Sequence, residues 1–373
     1  MNLLLLALGN SALGAALVYT RAWPKPGQAF ARKMLGVLGV LLALVLIDSG
    51  SEGLGWRSIS LGPEDALLCG VAIAGCWVLI IQGGTFATHG MIAVAAAPLI
   101  LVVGADWLVP QLLFSLVFFW AIAAAALFAQ SSISELARPL VALALMAAGG
   151  IVMSPNAEGW LLPESVAAPE RWLLLAGAGV AIVGLPNRVD HSGSWGLGEP
   201  LLVAAGFSLL PRVADGAPYQ GAVLLALAVL LTIFLARRVP AMAMSAAPLL
   251  VLMAAALLAP RSATAAGLGA VLIATAAGAG RMTGDPFRAS LVALTPLTLG
   301  FAAIGLAAEE ALSRAALAES NQVGWAVAAL LFPLALTACL WAGISAGRST
   351  GFEPQDQVRV TALALLGAIL LLV

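Results

Sequence analysis

The stretch WLVPQLLFSLVFFWAIAAAALFA, residues 107–129, runs for 23 residues without Asp, Glu, Lys, Arg or His. A helix rises 1.5 Å per residue, so about 20 apolar residues match the ~30 Å hydrocarbon thickness of a bilayer. An aqueous surface has no place for so long a run that is apolar on every side. The rest of the 373-residue chain has the same character: 62% of it is apolar and 9% charged, against roughly 25% charged in an average soluble domain. Too little polar surface is left to cover a water-facing exterior, which excludes a soluble enzyme and a disordered chain. Cys69, Cys76 and Cys339 lie inside apolar runs with no Cys-x-x-Cys spacing, which excludes a disulfide scaffold. A net charge of −1 provides no basic surface, and nucleic acid is not expected as a partner.

The fold class that follows is an all-α polytopic integral membrane protein. Apolar runs broken by Pro, Gly and charge predict fourteen spans, at about 2–20, 34–48, 65–82, 88–104, 107–129, 138–153, 171–186, 199–211, 219–236, 240–258, 263–280, 289–308, 322–346 and 358–373. The first run has no basic residue ahead of it, and Arg21, Lys25, Arg32 and Lys33 follow it. It reads as a retained helix rather than a cleaved signal. The run at 199–211 is short for a bilayer, which predicts a tilted, broken or re-entrant element. The polar stretches 49–64, 154–170, 187–198 and 309–321 are loop-sized, and Glu309–Glu319 has the amphipathic pattern of a segment lying on the membrane surface. The whole of 1–373 therefore reads as a single transmembrane domain.

Loop charge tests the count independently, because basic loops stay cytoplasmic. Loops after odd-numbered spans carry twelve cations: Arg21, Lys25, Arg32, Lys33, Arg138, Arg188, Arg237, Arg238, Arg281, Arg288, Arg348 and Arg359. Loops after even-numbered spans carry five: Arg57, Arg171, Arg212, Arg261 and Arg314. Acids lean the other way, with Asp48, Glu52, Glu64, Glu158, Glu164, Glu170, Glu309, Glu310 and Glu319 on the second side. A wrong count would scramble this asymmetry. The expected topology has both termini outside, in a bacterial-type inner (cytoplasmic) membrane.

Chemistry is sparse. An ionisable residue inside a span is a functional candidate, since burying it in lipid costs several kcal/mol, and the span middles here hold almost none. His89 opens the fourth span and reads as a helix-end group. Asp106 before Trp107 reads as an N-cap beside an aromatic anchor. Arg237-Arg238 ahead of Pro240 forms a cytoplasmic turn, with a lipid headgroup contact as a second use. Asp190, His191 and Ser192 lack a Gly-x-Ser-x-Gly elbow and read as loop polarity. Two histidines 102 positions apart and apolar cysteines give no metal-ligand spacing. The small-residue run Ala266–Gly280 follows no strand, so it permits close helix packing and is not a phosphate loop. Trp23, Trp56, Trp107, Trp160, Trp172 and Trp195 fit an interfacial belt. No catalytic, cofactor or metal site assembles. Arg212, His89, Arg237 and Arg238 remain as residual polar or lipid-contact positions.

Four segments resemble, in order, the antiporter-like membrane subunits shared by respiratory complex I, Mrp-type cation antiporters and membrane-bound hydrogenases. Ala105-Asp106-Trp107-Leu108, continuing to Trp120, is similar to the opening of the family's fifth helix. That helix carries a glutamate about ten residues on; Phe114–Phe118 has no acid. Leu173–Pro186 resembles the seventh helix, with Ala181 where the family places a buried lysine. Ala205-Gly206-Phe207-Ser208-Leu209-Leu210-Pro211-Arg212 resembles an A-G-x-x-L-L-x-R run, with Arg212 in register and the histidine-bearing stretch ahead of it shortened. Leu294-Thr295-Pro296-Leu297-Thr298-Leu299-Gly300-Phe301 resembles the turn of the twelfth helix, followed by Ala303, Ile304 and Gly305 in place of a lysine.

The resemblance implies a core of fourteen helices with broken helices near 171–211, and other membrane subunits of a hetero-oligomeric complex, with lipids, as partners. The departures imply a copy without its own proton path, because a relay needs titratable groups joined by water. A non-catalytic structural subunit of an ion-translocating or redox-linked complex is the leading expectation. A stand-alone transporter of an apolar or lipid-linked substrate is the first alternative. The second is an integral-membrane enzyme on a lipid-linked substrate using Glu164, Glu170 or Asp190.

Overall fold

The structure, a computed structural model, describes residues 3–50, 54–56, 59–61, 63–82, 141–142, 144–145, 148, 168–183, 199–213, 218–235, 240–283, 301–317 and 322–349. Ten α-helices stand among the described residues: α1 (Leu3–Tyr19), α2 (Lys25–Gly50), α3 (Pro63–Gln82), α4 (Ala168–Val183), α5 (Glu199–Val213), α6 (Pro218–Leu235), α7 (Pro240–Leu258), α8 (Ala263–Thr283), α9 (Phe301–Ala316) and α10 (Gln322–Ser349). A small antiparallel hairpin, β1 (Leu54–Trp56) and β2 (Ile59–Leu61), pairs Leu54 with Leu61 and Trp56 with Ile59. It occupies the stretch 49–64 that the sequence marks only as a loop. The spans expected at 88–104, 107–129 and 358–373 lie outside the described residues, as do most of 138–153 and residues 289–300 of the span expected at 289–308. The molecule is a helical membrane protein, and its chain divides into two compact units: Met1–Ala181 with Asn187–Leu209, and Ile182–Pro186 with Leu210–Val373.

In the first unit a tight corner joins α1 to α2. Thr20 Oγ1 donates to the Leu17 carbonyl at 2.7 Å and Trp23 N–H to the Thr20 carbonyl at 3.0 Å. Gln28 Nε2 then donates to the carbonyls of Arg21 (2.9 Å) and Trp23 (2.6 Å), so one side chain closes the corner. The α2 ladder begins directly after Pro24, whose carbonyl accepts from Gln28 N–H at 2.9 Å. Pro26 costs nothing there, because first-turn amides have no intrahelical partner. The helix thus starts nine residues before the apolar boundary at 34, with Lys25, Arg32 and Lys33 inside it. That corrects the sequence boundary.

Helices α2 and α3 run antiparallel and pack through glycines. A side chain added at Gly36 would meet Ile81 and Trp77, at Gly39 the Trp77 ring, and at Gly70 Ile47 and the Ala43 carbonyl. Paired positions descend in one helix as they ascend in the other. Lipid offers no hydrophobic drive between helices, so association rests on such close backbone approach.

The second unit is built around α7. Every residue from Ala246 to Ala259 is buried, and α6, α8, α9 and α10 all pack on it. A helix apolar all round belongs in such a central place. The close contacts again involve glycine: a Cβ on Gly221 of α6 would lie 2.7 Å from Leu258 Cγ, and one on Gly324 of α10 would lie 3.2 Å from the side chains of Pro218 and Tyr219. The small-residue run 266–280 lies within α8, which packs on α7. At α9 the structure departs from the sequence reading. A span was expected to end at 308 with a polar loop after it; instead α9 is one uninterrupted helix from Phe301 to Ala316, carrying Glu309, Glu310 and Arg314.

The outward faces identify the solvent. On α6 the inward residues are Gly221, Ala222, Leu225, Ala228 and Thr232, while Tyr219, Val223, Leu227, Leu230, Ile233 and Phe234 point out. On α10, Gly324, Trp325, Ala328, Phe332, Ala335 and Cys339 point in, and Val323, Val327, Leu330, Leu334 and Trp341 point out. Both faces are apolar, with large residues outside. Over its most apolar 18 residues the stretch Lys25–Asp48 of α2 is only 28% buried, and Gln322–Cys339 of α10 only 33%. A core helix of a soluble protein would be mostly covered, whereas a lipid-facing helix is left in this state. Even the exposed Thr337 hydroxyl turns inward on its own helix, donating to the Pro333 carbonyl at 2.7 Å, as a polar group in hydrocarbon must.

Candidate functional site: buried polar groups and charged helix ends

Of the positions singled out from the sequence, His89, Arg237 and Arg238 lie outside the described residues, as do Asp106, Asp190, His191, Ser192 and Glu164. Arg212 sits in the last turn of α5, and Glu170 in the first turn of α4. The helices that hold them are short, 16 residues for α4 and 15 for α5, or ~24 and ~22 Å at 1.5 Å per residue. Both are continuous within these bounds. The Gly184–Pro186 segment expected to break the first of them lies outside the described residues. Two positions at which the family resemblance implies lysine are both packed away: Ala181 in α4 is 1% exposed and Ile304 in α9 is 2% exposed.

Among the described residues the buried polar side chains are Asn10, Thr20, Thr232 and Ser262. Three are hydroxyls that donate to carbonyls of their own or the adjoining helix. Thr232 Oγ1 reaches the Ala228 carbonyl at 2.8 Å, and Ser262 Oγ the Ala259 and Ala255 carbonyls at 2.7 and 3.3 Å. Half-buried Thr275 does the same with Val271 at 2.8 Å. Such bonds satisfy the hydroxyl locally and link to no neighbour. Asn10 differs. Its Oδ1 accepts from Trp77 Nε1 at 2.9 Å, a buried bond between side chains 67 positions apart that ties α1 to α3. The sequence held a signal for it, an amide and an indole each in the middle of an apolar run, but the six tryptophans placed in an interfacial belt did not include Trp77. It is a core residue.

Charge gathers where α9 meets α10. Arg314 Nε donates to Glu310 Oε1 at 2.6 Å, one helical turn earlier, and its guanidinium lies over the Trp325 ring, 4.9 Å from the centroid. Gln322 Nε2 reaches back to the Ala315 carbonyl at 2.9 Å, covering one of the open carbonyls at the end of α9. Both partners of the ion pair are 40% exposed, so it contributes little; the stacking on Trp325 adds a comparable amount. Arg314→Ala is expected to lower stability by about 1 kcal/mol, read as a drop of a few degrees in the detergent melting midpoint. Arg314→Lys should recover the ion-pair share alone. An unchanged midpoint for the alanine variant would remove this corner from the forces holding α9.

Among the described residues no group of three His, Cys, Asp or Glu side chains is placed to hold a metal, and Cys69, Cys76 and Cys339 are buried and form no disulfide. What the geometry offers is packing surface and anchored ends. No family model matches the chain, and no curated protein matches it in sequence. Its fold does have a counterpart among solved structures. A chain of respiratory complex I from Thermus thermophilus, solved with bound aureothin, is similar with a TM-score of 0.62 and 17% sequence identity. The likeness covers 98% of this chain and 98% of that chain, so the two share one fold across nearly their whole lengths.

Proposed function

We propose that the chain is a non-catalytic membrane subunit of a complex I-like, ion-translocating or redox-linked assembly: an antiporter-like subunit kept for structure, without a proton path of its own. The observation that carries this is the end-to-end likeness in fold to a respiratory complex I chain at only 17% identity. In this reading 1–373 is one fourteen-span domain with both termini outside, α4 and α5 belong to the broken-helix region, and Arg212 is a remnant of a half-channel. The loss of the path is supported by apolar Ala181 and Ile304, both buried, and by hydroxyls that spend their hydrogen bonds on adjacent carbonyls. An arginine stays protonated at any accessible pH and relays nothing by itself.

Two measurements test the proposal. Tagged protein purified in mild detergent should bring other polytopic subunits with it, identified by mass spectrometry; recovery of the chain alone from gently solubilised membranes sinks the subunit reading. In liposomes under an imposed pH gradient, the purified chain should dissipate the gradient no faster than empty liposomes. Faster dissipation that disappears in Arg212→Ala restores a transport role.

A further inference from the structure

The corner between α1 and α2 joins two features that the subunit reading leaves unused. Arg21, Lys25, Arg32 and Lys33 are the only charged residues in the first 47; no acid precedes Asp48. Arg21, Lys25 and Lys33 are exposed, whereas Arg32 is half-buried on the inward side of α2. The corner is held in shape by the two carbonyls bound to Gln28 and by Trp23, whose ring lies against Gly27. Tyr19 and Trp23 stand exposed beside the cations, the aromatic pattern of a membrane–water interface. From that corner an outward apolar stripe descends along α2 past the exposed Lys33: Phe30, Met34, Val37, Leu38, Leu41, Leu44 and Val45. Phe30 to Val45 spans ~22 Å at 1.5 Å per residue, close to the length of one acyl chain.

We propose that this corner and stripe form a binding site for an anionic phospholipid, its phosphate held by Arg21, Lys25 and Lys33 and one acyl chain laid along the outward face of α2. Charge complementarity selects the occupant. A zwitterionic lipid would bring a cation to three cations in a stretch, residues 1–47, that has no acid to receive it. An acidic segment of another protein would leave the apolar stripe unaccounted for. A lipid with net negative charge answers both ends at once. Long Lys and Arg side chains keep their ammonium and guanidinium groups at headgroup level while their stems lie on the apolar face. Each cation near an anionic headgroup raises affinity roughly five-fold. The inference rests on the membrane-embedded part of the reading above and on nothing about the complex.

The test uses the full chain in mild detergent, offered equal amounts of phosphatidylglycerol and phosphatidylcholine with the same acyl chains, and counts retained lipid by native mass spectrometry. Phosphatidylglycerol should be retained at least about ten-fold over phosphatidylcholine. The triple variant Arg21→Gln, Lys25→Gln, Lys33→Gln should bring the two to parity, while Arg21→Lys, Lys25→Arg, Lys33→Arg should keep the preference and show that the corner still folds. Equal retention by the native chain overturns the site, as does a preference that survives neutralisation. Displacement by excess inorganic phosphate assigns the corner to a free anion and overturns the lipid. Release of a co-purifying polytopic protein by the neutral variant, without any lipid preference, gives the face to that protein instead. If partners co-purify but no lipid preference exists, this inference alone fails; if the preference exists and nothing co-purifies, the subunit reading alone fails.

Discussion

Gly39→Leu is expected to leave almost no folded protein in detergent. A Cβ at position 39 would fall on Cγ, Cδ2 and Cε2 of the Trp77 indole, far inside van der Waals contact. The ring is a flat, fully buried wedge, 1% exposed, with its nitrogen committed to Asn10, so it cannot swing aside cheaply. Overpacking a well-filled core costs about 1–3 kcal/mol per modest insertion and more where backbone must move. Gly39→Ala already forces the contact and should lower stability by at least about 2 kcal/mol. The internal control is Gly305 of α9, where an added Cβ meets nothing within 4 Å. Gly305→Ala should be neutral or slightly stabilising, since alanine loses less backbone entropy in a helix. Thermal midpoints by fluorescence-detected size exclusion compare the three. Should Gly39→Ala melt with Gly305→Ala, the close approach of α2 and α3 does not exist in the membrane.

The second large effect belongs to the other side of the same contact. Trp77→Ala removes one of the two fully buried tryptophans of the described residues and should cost about 3–5 kcal/mol, most of it the void left behind. Trp77→Phe keeps most of the ring and loses the N–H that Asn10 accepts. Hydrogen bonds between membrane helices average ~0.6 kcal/mol and reach ~1.7, so the phenylalanine variant should sit much nearer the native chain. Packing therefore outweighs the hydrogen bond at this site. A cycle with Asn10→Ala isolates the bond, and a coupling below a few tenths of a kcal/mol would assign Asn10 to packing alone. The double variant Gly39→Leu, Trp77→Ala should be more stable than the sum of its parts, because leucine enters the space the indole vacates.

The apolar runs at 2–20, 65–82, 219–236, 240–258, 263–280 and 322–346 each became a helix close to those limits, because in lipid every backbone group has to be satisfied within its own segment. The misread boundaries share one cause. At α2 and at α9 a charge was read as the end of a helix, yet Lys25, Arg32 and Lys33 are helical, and so are Glu309, Glu310 and Arg314. Charge marks where hydrocarbon gives way to headgroups, while the hydrogen-bond ladder continues as long as Ala, Leu, Glu and Arg favour it. Which face of each run turns inward was less legible, since both faces are apolar and only residue size distinguishes them. The Asn10–Trp77 bond was legible only as two isolated polar atoms, because nothing local in the sequence pairs positions 67 apart. The hairpin at 54–61 escaped notice because each strand has three residues, too few for an alternating pattern to register.

The encirclement of α7 has a bearing on how the chain is made. Among the described residues four helices cover it, and three of them, α8, α9 and α10, come later in the sequence. Synthesis runs from the N-terminus, so α7 enters the bilayer with most of its eventual neighbours still unmade. During that interval only lipid and α6 lie against it. The helix is equipped for the wait: Pro240–Leu258 has no charged side chain and only Ser245 as a hydroxyl, and its 19 residues cross ~28 Å. It can insert with α6 as its one protein neighbour of the four and be enclosed afterwards. A helix carrying an ionisable residue at its centre would have needed its partners present at the moment of insertion. The all-apolar centre of this unit therefore suits co-translational assembly one span at a time, and a charge introduced at Leu252 should be felt first as failed insertion rather than as a weakened mature fold.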